Sequence, residues 1–231
     1  YIYKTVSTRS KLNISVLTSL MIVLFGFGAL SVALSKTPGA PDQLYTARLV
    51  QTGIKQEDKW DRTKRAEVMS TLIDRVSEAA SAEGQYDLIV LPESSFNVNP
   101  FNTPTIKELI TNISQESALL LSHDRLVTSG EERTLYNSMY LIENGEIIQT
   151  YDKMKLAPFV EYFPMEKLLK PLKNFFFGNA LLFTPGTTPV VFEYAMPESN
   201  RTALKIAPLI CFESSFSEII RERVLMGANV L

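Results

Sequence analysis

Three residues with distinct side-chain chemistry stand at the ends of predicted strands. Glu93 stands two residues after the apolar run LIVL, Lys153 follows a strand-like run that ends in YD, and Cys211 follows the run APLI. In open α/β sheets, ligands bind beyond the carboxyl ends of the strands. A carboxylate there can move protons, a fixed ammonium can stabilise an oxyanion, and backbone N–H groups at a strand-to-helix turn favour a thiolate. These residue types indicate chemistry at a carbonyl carbon if the fold brings them together.

Each of the three residues also has an ordinary structural explanation. Glu93 could be a solvated loop residue, which is the commoner fate of a glutamate, and Lys153 could be a surface charge at the end of a hairpin. Cys211 is the single cysteine, so it forms no disulfide within the chain, and it could be a small buried apolar residue. Both interpretations stay open on the residues alone.

The composition argues against several other functions. The 231 residues carry 23 Lys plus Arg against 25 Asp plus Glu, so no overall positive charge attracts nucleic acid. The single histidine, His123, has no second His or Cys at metal-ligand spacing, and we interpret it as a surface or loop residue. The sequence shows neither a Gly-rich phosphate loop nor a dinucleotide fingerprint. We therefore expect no metal, no cofactor and no nucleic-acid partner.

An uncharged segment near the N-terminus predicts a membrane anchor. Residues 12–35 carry no charge, and about 20 apolar residues are enough for a helix to cross the hydrocarbon core. A secretory signal peptide is the main alternative, but its apolar core is only about 7–15 residues long. Three basic residues precede the span and one follows closely, which places the N-terminus in the cytoplasm. We predict a transmembrane segment over 1–36, a Pro/Gly linker over 37–43 and a folded domain over 44–231.

The hydrophobic pattern of the folded domain predicts helices that alternate with strands. Apolar residues recur at three-to-four spacing after Asp61, which predicts a helix, and Asn144-Gly145 between apolar runs is a strong hairpin signal. Further helices are predicted over 105–115 and 215–226. Strands are predicted over 45–51, 87–91, 117–121, 136–143, 147–151, 189–194 and 202–212. Pro208 inside the last strand predicts a bulge or an edge, and the mixture favours a layered α/β domain.

The local sequences around the three residues resemble the nitrilase, or carbon-nitrogen hydrolase, superfamily. In that superfamily a Glu, a Lys and a Cys occur in this chain order, each at the end of a strand. The closer likeness is to the apolipoprotein N-acyltransferase branch and covers the chain after Leu44. It is carried by the motifs LPES at Glu93, YDKMKLAPFVEY over 151–162 and PLICFES over 208–214, and by Gln51 and Lys59-Trp60.

The resemblance implies both a fold and a set of site residues. The fold would be a nitrilase-like αββα sandwich that is incomplete at its C-terminus and is preceded in the chain by the membrane helix. Glu93 would be the base, Cys211 the nucleophile and Lys153 the oxyanion partner of a catalytic triad. Further site residues implied by the family, which support the triad or bind substrate, are Glu161, Phe212, Glu213 and Trp60.

The resemblance also implies a reaction and a location. A phospholipid would donate an acyl chain to Cys211 as a thioester, and the N-terminal amine of diacylglyceryl-cysteine in an apolipoprotein would accept it, as in lipoprotein maturation. The site would lie on the extracytoplasmic side of the bacterial inner membrane, in a multi-pass full-length protein. The aromatic-rich arm over 158–177 would keep water from the thioester.

The chain departs from the family in three ways. Val160 stands where the family usually has Gly, and Phe212 stands where it usually has Tyr. The family has further membrane helices and more domain sequence, so we expect this chain to be a piece of a longer protein. A membrane-anchored amidase or nitrilase with a small substrate, and a non-catalytic membrane-anchored interaction domain, are the alternative functions.

Overall fold

The computed structural model divides the chain into two units, Tyr1–Leu44 and Tyr45–Leu231. It describes residues 2–34, 44–55, 57–58, 61, 63–81, 86–165, 171, 175, 178, 181–196 and 201–231. The predicted linker over 37–43, Trp60 and most of the aromatic-rich arm after Met165 lie outside the described residues.

The first unit contains one long helix, α1, over Ile2–Leu34. The 21 residues of Ile14–Leu34 rise about 30 Å at 1.5 Å per residue, and this stretch is long and apolar enough to cross a membrane. Its side chains are exposed along the whole stretch. The hydroxyl of Thr18 donates a hydrogen bond to the carbonyl oxygen of Ile14 at 2.9 Å. The hydroxyl thus has a hydrogen-bond partner within the helix, which lipid tails could not provide.

The second unit is built on a five-stranded mixed sheet in the order β1-β2-β3-β4-β5. The strands are β1 (Ala47–Leu49), β2 (Leu88–Val90), β3 (Ala118–Ser129), β4 (Glu132–Glu143) and β5 (Glu146–Asp152). The first three strands are parallel and the last three antiparallel. The parallel strands are joined through helices α2 (Arg65–Ser81) and α3 (Pro104–Ile113).

The antiparallel strands are joined by tight turns. Asn144 and Gly145 both have positive φ, +51° and +78°, which a two-residue hairpin turn requires. The predicted hairpin is therefore confirmed. A side chain at Gly145 would also collide with Thr111 of α3, so the turn lies directly against that helix.

Both faces of the central sheet are buried, because successive side chains along its strands point to opposite sides. In β3, Leu119 and Leu121 belong to one core, whereas Ala118 and Leu120 belong to the other. The first core includes residues of both helices: Leu72, Val76, Ile106, Ile110 and Ile113. The second core includes residues of a two-stranded sheet formed by β6 (Phe192–Tyr194) and β7 (Leu204–Ile206). The layers are therefore helices, sheet and second sheet.

The last part of the described chain carries the cysteine. After β7, a 3-10 helix covers Cys211–Ser215, and helix α4 covers Ser217–Leu225. The predicted strand over 202–212 therefore ends early, at Ile206, and Pro208 lies beyond the strand and not in a bulge within it.

Two other sequence predictions need correction. The strand predicted over 117–121 continues to Ser129, so His123 is a half-buried strand residue and not a surface or loop residue. Burial lowers the pKa of His123. The long antiparallel pairing with β4 overrides the polar character of this stretch. The helix predicted to follow a cap at Asp61 begins at Arg65, four residues later.

Candidate active site

A cavity of about 550 Å³ lies beyond the end of β2, and its wall includes residues from β3 and β4. Its lining includes three carboxylates, those of Glu93, Asp124 and Glu161, together with the amide of Asn137. Val160, where the family usually has Gly, also lines it and is 73% exposed. The cavity is therefore acidic and open at the arm that follows Lys153.

The turn after β2 presents Glu93 to this cavity. The backbone N–H of Leu91 still bonds to β3, but Pro92 has no N–H to continue the ladder. Ser94 follows with φ +47° and donates its N–H to the hydroxyl of Ser122 at 3.3 Å. The strand therefore ends in a sharp turn, which leaves the carboxylate of Glu93 partly exposed.

Lys153 is the buried cation of the site, with its side chain only 2% exposed. Its Nζ lies 2.9 Å from the carboxylate of Glu161 and 4.0 Å from Oε1 of Glu93. Its backbone N–H donates to the carbonyl oxygen of Asn137 at 2.8 Å, and its carbonyl accepts the N–H of Gly186 at 2.8 Å. A buried ammonium needs such paired, hydrogen-bonded partners, because desolvation alone would neutralise it.

Glu161 is the residue that holds Lys153 in place. Burial raises its pKa, but hydrogen bonds from the N–H of Ala157, from Asn137 and from Lys153 outweigh burial, so the pKa lies below its ordinary value. The Ala157 bond is 2.7 Å long. Glu161 is therefore an ionised partner for Lys153.

Asn137 connects the two carboxylates and was not predicted as a site residue. Its Nδ2 donates to Oε1 of Glu93 and to Oε1 of Glu161, each at 2.9 Å. The sequence offered one weak signal, a polar residue inside the otherwise strand-like run YNSMYLIE. Only the position of β4 across the cavity gives that asparagine a role.

Cys211 lies at the start of the 3-10 helix, with φ +49° and with the residue exposed. A positive φ is costly for a residue with a side chain, and such strain is concentrated at functional sites. The hydroxyl of Ser214 donates to the carbonyl oxygen of Cys211 at 2.8 Å, which closes the turn. The thiol is therefore presented from a tight turn and is not a buried apolar residue.

Glu213 fastens this turn to the segment that follows Lys153. Its buried carboxylate accepts the N–H of Ile210 at 3.0 Å and the N–H of Met154 at 2.8 Å. It also accepts the hydroxyl of Tyr151 at 2.6 Å. Burial and the bond to Glu213 raise the pKa of Tyr151. The backbone just after Lys153 and the backbone just before Cys211 thus donate hydrogen bonds to the same carboxylate.

Two predicted site residues remain, Phe212 and Trp60. Phe212 is partly exposed and packs edge-on against Phe216, with ring centroids 5.0 Å apart. Trp60 lies outside the described residues. Within the described part of the chain, no group of three or more His, Cys, Asp or Glu side chains could hold a metal ion.

Comparison with known proteins assigns the chain to a family. The family model described as carbon-nitrogen hydrolase matches residues 46–231, which is nearly all of the second unit. The chain belongs to the carbon-nitrogen hydrolase family. This membership confirms the predicted nitrilase-like α/β fold class.

Relatives within the carbon-nitrogen hydrolase family cover most of this chain. It is 30% identical over 208 residues to a protein of Caulobacter vibrioides named apolipoprotein N-acyltransferase, covering 85% of this chain and 37% of the relative. It is 33% identical over 207 residues to a protein of the same name from Brucella suis, covering 84% and 36%. Among solved structures, a carbon-nitrogen hydrolase from Helicobacter pylori G27 has a TM-score of 0.48 and 20% identity, over 80% of this chain and 57% of that one. The chain thus spans little more than a third of the curated relatives' length.

Proposed function

We propose that this chain carries the reaction centre of a membrane-bound N-acyltransferase that completes the acylation of lipoproteins. The observation that supports it best is the buried ammonium of Lys153, held between Glu93 and Glu161, with the turn that carries Cys211 fastened to the residues that follow. Family membership and relatives named apolipoprotein N-acyltransferase support the same reaction class.

In the first step of the proposed reaction, Glu93 takes the proton of the Cys211 thiol, and the thiolate attacks the ester carbonyl carbon of a phospholipid. The carbonyl oxygen becomes an oxyanion, which the ammonium of Lys153 and the backbone N–H of Phe212 stabilise. The ester C–O bond then breaks, and the leaving alkoxide takes the proton from Glu93. A lysophospholipid departs and the acyl chain remains on sulfur as a thioester.

In the second step, the amine of an N-terminal diacylglyceryl-cysteine attacks the thioester carbon. The C–S bond breaks, and the proton lost by nitrogen passes through Glu93 to the sulfur of Cys211. The products are an amide and the free thiol, so the site returns to its starting state. Lys153 serves both steps, because each one passes through an oxyanion at the same place.

Two further residues act through the triad in this proposal. Glu161 positions Lys153 at hydrogen-bond distance. Glu213 binds the backbone of Met154 and Lys155 and so fixes the turn that carries Cys211. This contact would keep the sulfur of Cys211 and the ammonium of Lys153 in fixed relative positions. Trp60 would shape the substrate path.

The proposed location follows from helix α1 and the charges before it. Ile14–Leu34 would cross the bacterial inner membrane, with the reaction centre in the domain over 44–231 on the extracytoplasmic side. The aromatic-rich arm over 158–177 would keep water from the thioester. Phe159 and Met165, both exposed, belong to this arm. Further membrane helices would belong to the full-length protein.

Mass spectrometry of the intact protein tests the proposal. Incubation with phosphatidylethanolamine vesicles is expected to add one acyl mass on Cys211, and a synthetic diacylglyceryl-cysteine peptide is expected to remove it and gain the same mass. Cys211→Ala should show neither change. Absence of the adduct in the unaltered protein, or its persistence in Cys211→Ala, would exclude the proposal. Hydrolysis of a small amide without any lipid adduct would favour an amidase.

A further inference from the structure

Arg223 is a buried cation that the proposed reaction does not use. It belongs to helix α4, where its side chain is fully buried while the nearby Arg221 and Val224 are exposed. Among the described residues its ion-pair partner is Glu222, 3.1 Å away and half exposed, and its Nε has no hydrogen-bond partner. A pair with an exposed carboxylate is weak, whereas a buried charge is costly unless it is well paired. The burial of Arg223 therefore calls for a further negative charge within the core.

The guanidinium of Arg223 lies against the stretch of chain that contains Lys153. Its Nη2 donates to Sδ of Met154 at 3.2 Å, and its Cζ lies 5.5 Å from the ring centroid of Tyr151. A thioether is a weak acceptor and a cation over an aromatic ring is modestly attracted, so neither contact replaces a carboxylate. Both contacts fall on residues within two positions of Lys153 in the sequence.

The buried carboxylate of Glu213 contacts the same tyrosine. It accepts the hydroxyl of Tyr151 at 2.6 Å together with backbone N–H groups, and all of these donors are uncharged. Burial and then Glu213 raise the pKa of Tyr151, whereas Arg223 lowers it. The phenol therefore stays protonated at neutral pH and lies next to both a buried anion and a buried cation.

We propose that Arg223 is a positioning residue of the reaction centre, and that its guanidinium balances the charge of Glu213 through Tyr151. Glu213 in turn accepts hydrogen bonds from the backbone just before Cys211 and just after Lys153. Helix α4 thereby fixes the two groups relative to each other. The inference rests on the proposed function, because it assigns a role in the reaction that these two residues are proposed to carry out.

A purely structural role for Arg223 predicts a different result. Removal of the charge lowers stability in either case, since it leaves a buried carboxylate without its counter-charge. If Arg223 also positions the site, the folded variant reacts slowly even at saturating lipid, because a shift of about 1 Å at the reacting groups costs about 100-fold in rate. The lipid concentration for half-maximal rate stays the same, because Arg223 is fully buried and does not contact the lipid.

The experiment compares Arg223→Met and Arg223→Lys with the unaltered full-length protein. Methionine removes the charge, and lysine restores it without the planar guanidinium. Thioester formation on Cys211 is followed by mass spectrometry over a range of phosphatidylethanolamine concentrations, at a temperature where circular dichroism shows each variant to be folded. Arg221→Met is the matched control, because Arg221 is exposed on the same helix.

Arg223→Met is expected to lower the saturated rate about 10- to 100-fold and to change the half-maximal concentration by less than about twofold. Arg223→Lys should react at least about threefold faster than Arg223→Met, because it keeps the charge. The control should react like the parent. A saturated rate within about twofold of the parent in folded Arg223→Met, or equal rates for the methionine and lysine variants, would overturn the inference.

Tyr151→Phe tests the same connection if Arg223→Met does not fold. It removes one hydroxyl and leaves both buried charges in place. The saturated rate of thioester formation is expected to fall about tenfold, since a hydrogen bond to a charged group is lost. An unchanged rate would contradict the role given to Arg223.

A double-mutant cycle separates this inference from the proposed function. Glu213→Gln, Arg223→Met and the double variant are compared by thermal unfolding, which needs no substrate. If the two charges balance each other, the double variant loses less in melting temperature than the sum of the two single losses, by at least about 2 °C. Additive losses would refute the link between Arg223 and Glu213, whereas a missing thioester in the unaltered protein would refute the proposed function and not that link.

Discussion

At the scale of single residues, the charge of Lys153 is the one on which the site depends. An ammonium that is almost fully buried is stable only with paired carboxylates, and Glu161 provides the closest one, at 2.9 Å. Glu93 is 4.0 Å away and partly exposed. The two glutamates thus differ in burial and in distance from the same lysine, which is the basis for the different roles that we propose for them.

Replacement of Glu161 by Gln is expected to destabilise the folded domain by about 3 kcal/mol at neutral pH, since it leaves a buried ammonium with a more distant partner. The pKa of Glu161 lies below its ordinary value, so its stabilising effect is present above the unfolded-state pKa, about 4.3, and is lost as pH falls through the folded-state pKa. Thermal unfolding at pH 7 and in steps below pH 4.3 measures this.

The control for this change is Glu57→Gln, in an exposed pair 4.0 Å from Lys55. Exposed pairs contribute about 0–1 kcal/mol, so this variant should unfold almost like the parent. Thioester formation on Cys211 should fall at least about 100-fold in Glu161→Gln and not in the control. Equal stability of the two variants at pH 7 would contradict the role assigned to Glu161.

At the scale of elements, the segment over 183–186 holds the site from outside the central sheet. The N–H of Phe183 donates to the carbonyl of Glu161 at 3.0 Å, and the N–H of Thr184 donates to the carbonyl of Leu135 at 2.7 Å. Gly186 then bonds to the carbonyl of Lys153. One short extended segment therefore joins β4, Lys153 and Glu161.

Gly186 is essential to this arrangement because a side chain there has no room. An added Cβ would collide with the backbone carbonyl of Asp152, which cannot move without moving Lys153. Gly186→Ala is therefore expected to cost about 1–3 kcal/mol of stability and to lower the acylation rate of Cys211 more than tenfold. Gly28→Ala in α1 is the control, since its Cβ would meet nothing within 4 Å. Similar acylation by both variants would contradict the prediction.

At the scale of the whole molecule, the apolar helix and the candidate site belong to different units. Helix α1 offers a long exposed apolar stretch, which only a membrane or another apolar partner can cover. The second unit buries both faces of its central sheet and carries the candidate site. The proposed anchoring and the proposed chemistry therefore rest on different residues and can be tested independently.

A charge in the middle of the span tests the anchor. Val23→Arg is expected to reduce membrane insertion, since an arginine at the centre of a span costs about 2.5–3.5 kcal/mol. The fraction of protein retained in membranes after alkaline carbonate extraction measures the effect, with Val23→Leu as the control. Full retention of Val23→Arg would argue that this helix alone does not determine the membrane association.

Local sequence determined much of this protein by itself. Apolar runs located the strands and helices to within a few residues in most cases, and Asn144-Gly145 determined the hairpin, because φ above zero at both positions suits few other pairs. The motifs around Glu93, Lys153 and Cys211 indicated the carbon-nitrogen hydrolase family, which the family model confirms. The roles of these three residues remain a prediction.

Only the tertiary structure decided what surrounds those residues. Asp124 and Asn137 are neighbours because the register of β3 and β4 pairs them, and register depends on the whole buried face of a strand. Lys153 is buried because Glu161, Asn137 and Gly186 converge on it, although its position after a hairpin strand would equally suit a surface lysine. The type of a residue is a local property of the sequence. Its burial, its pairing and the charge around it depend on residues that are distant along the chain.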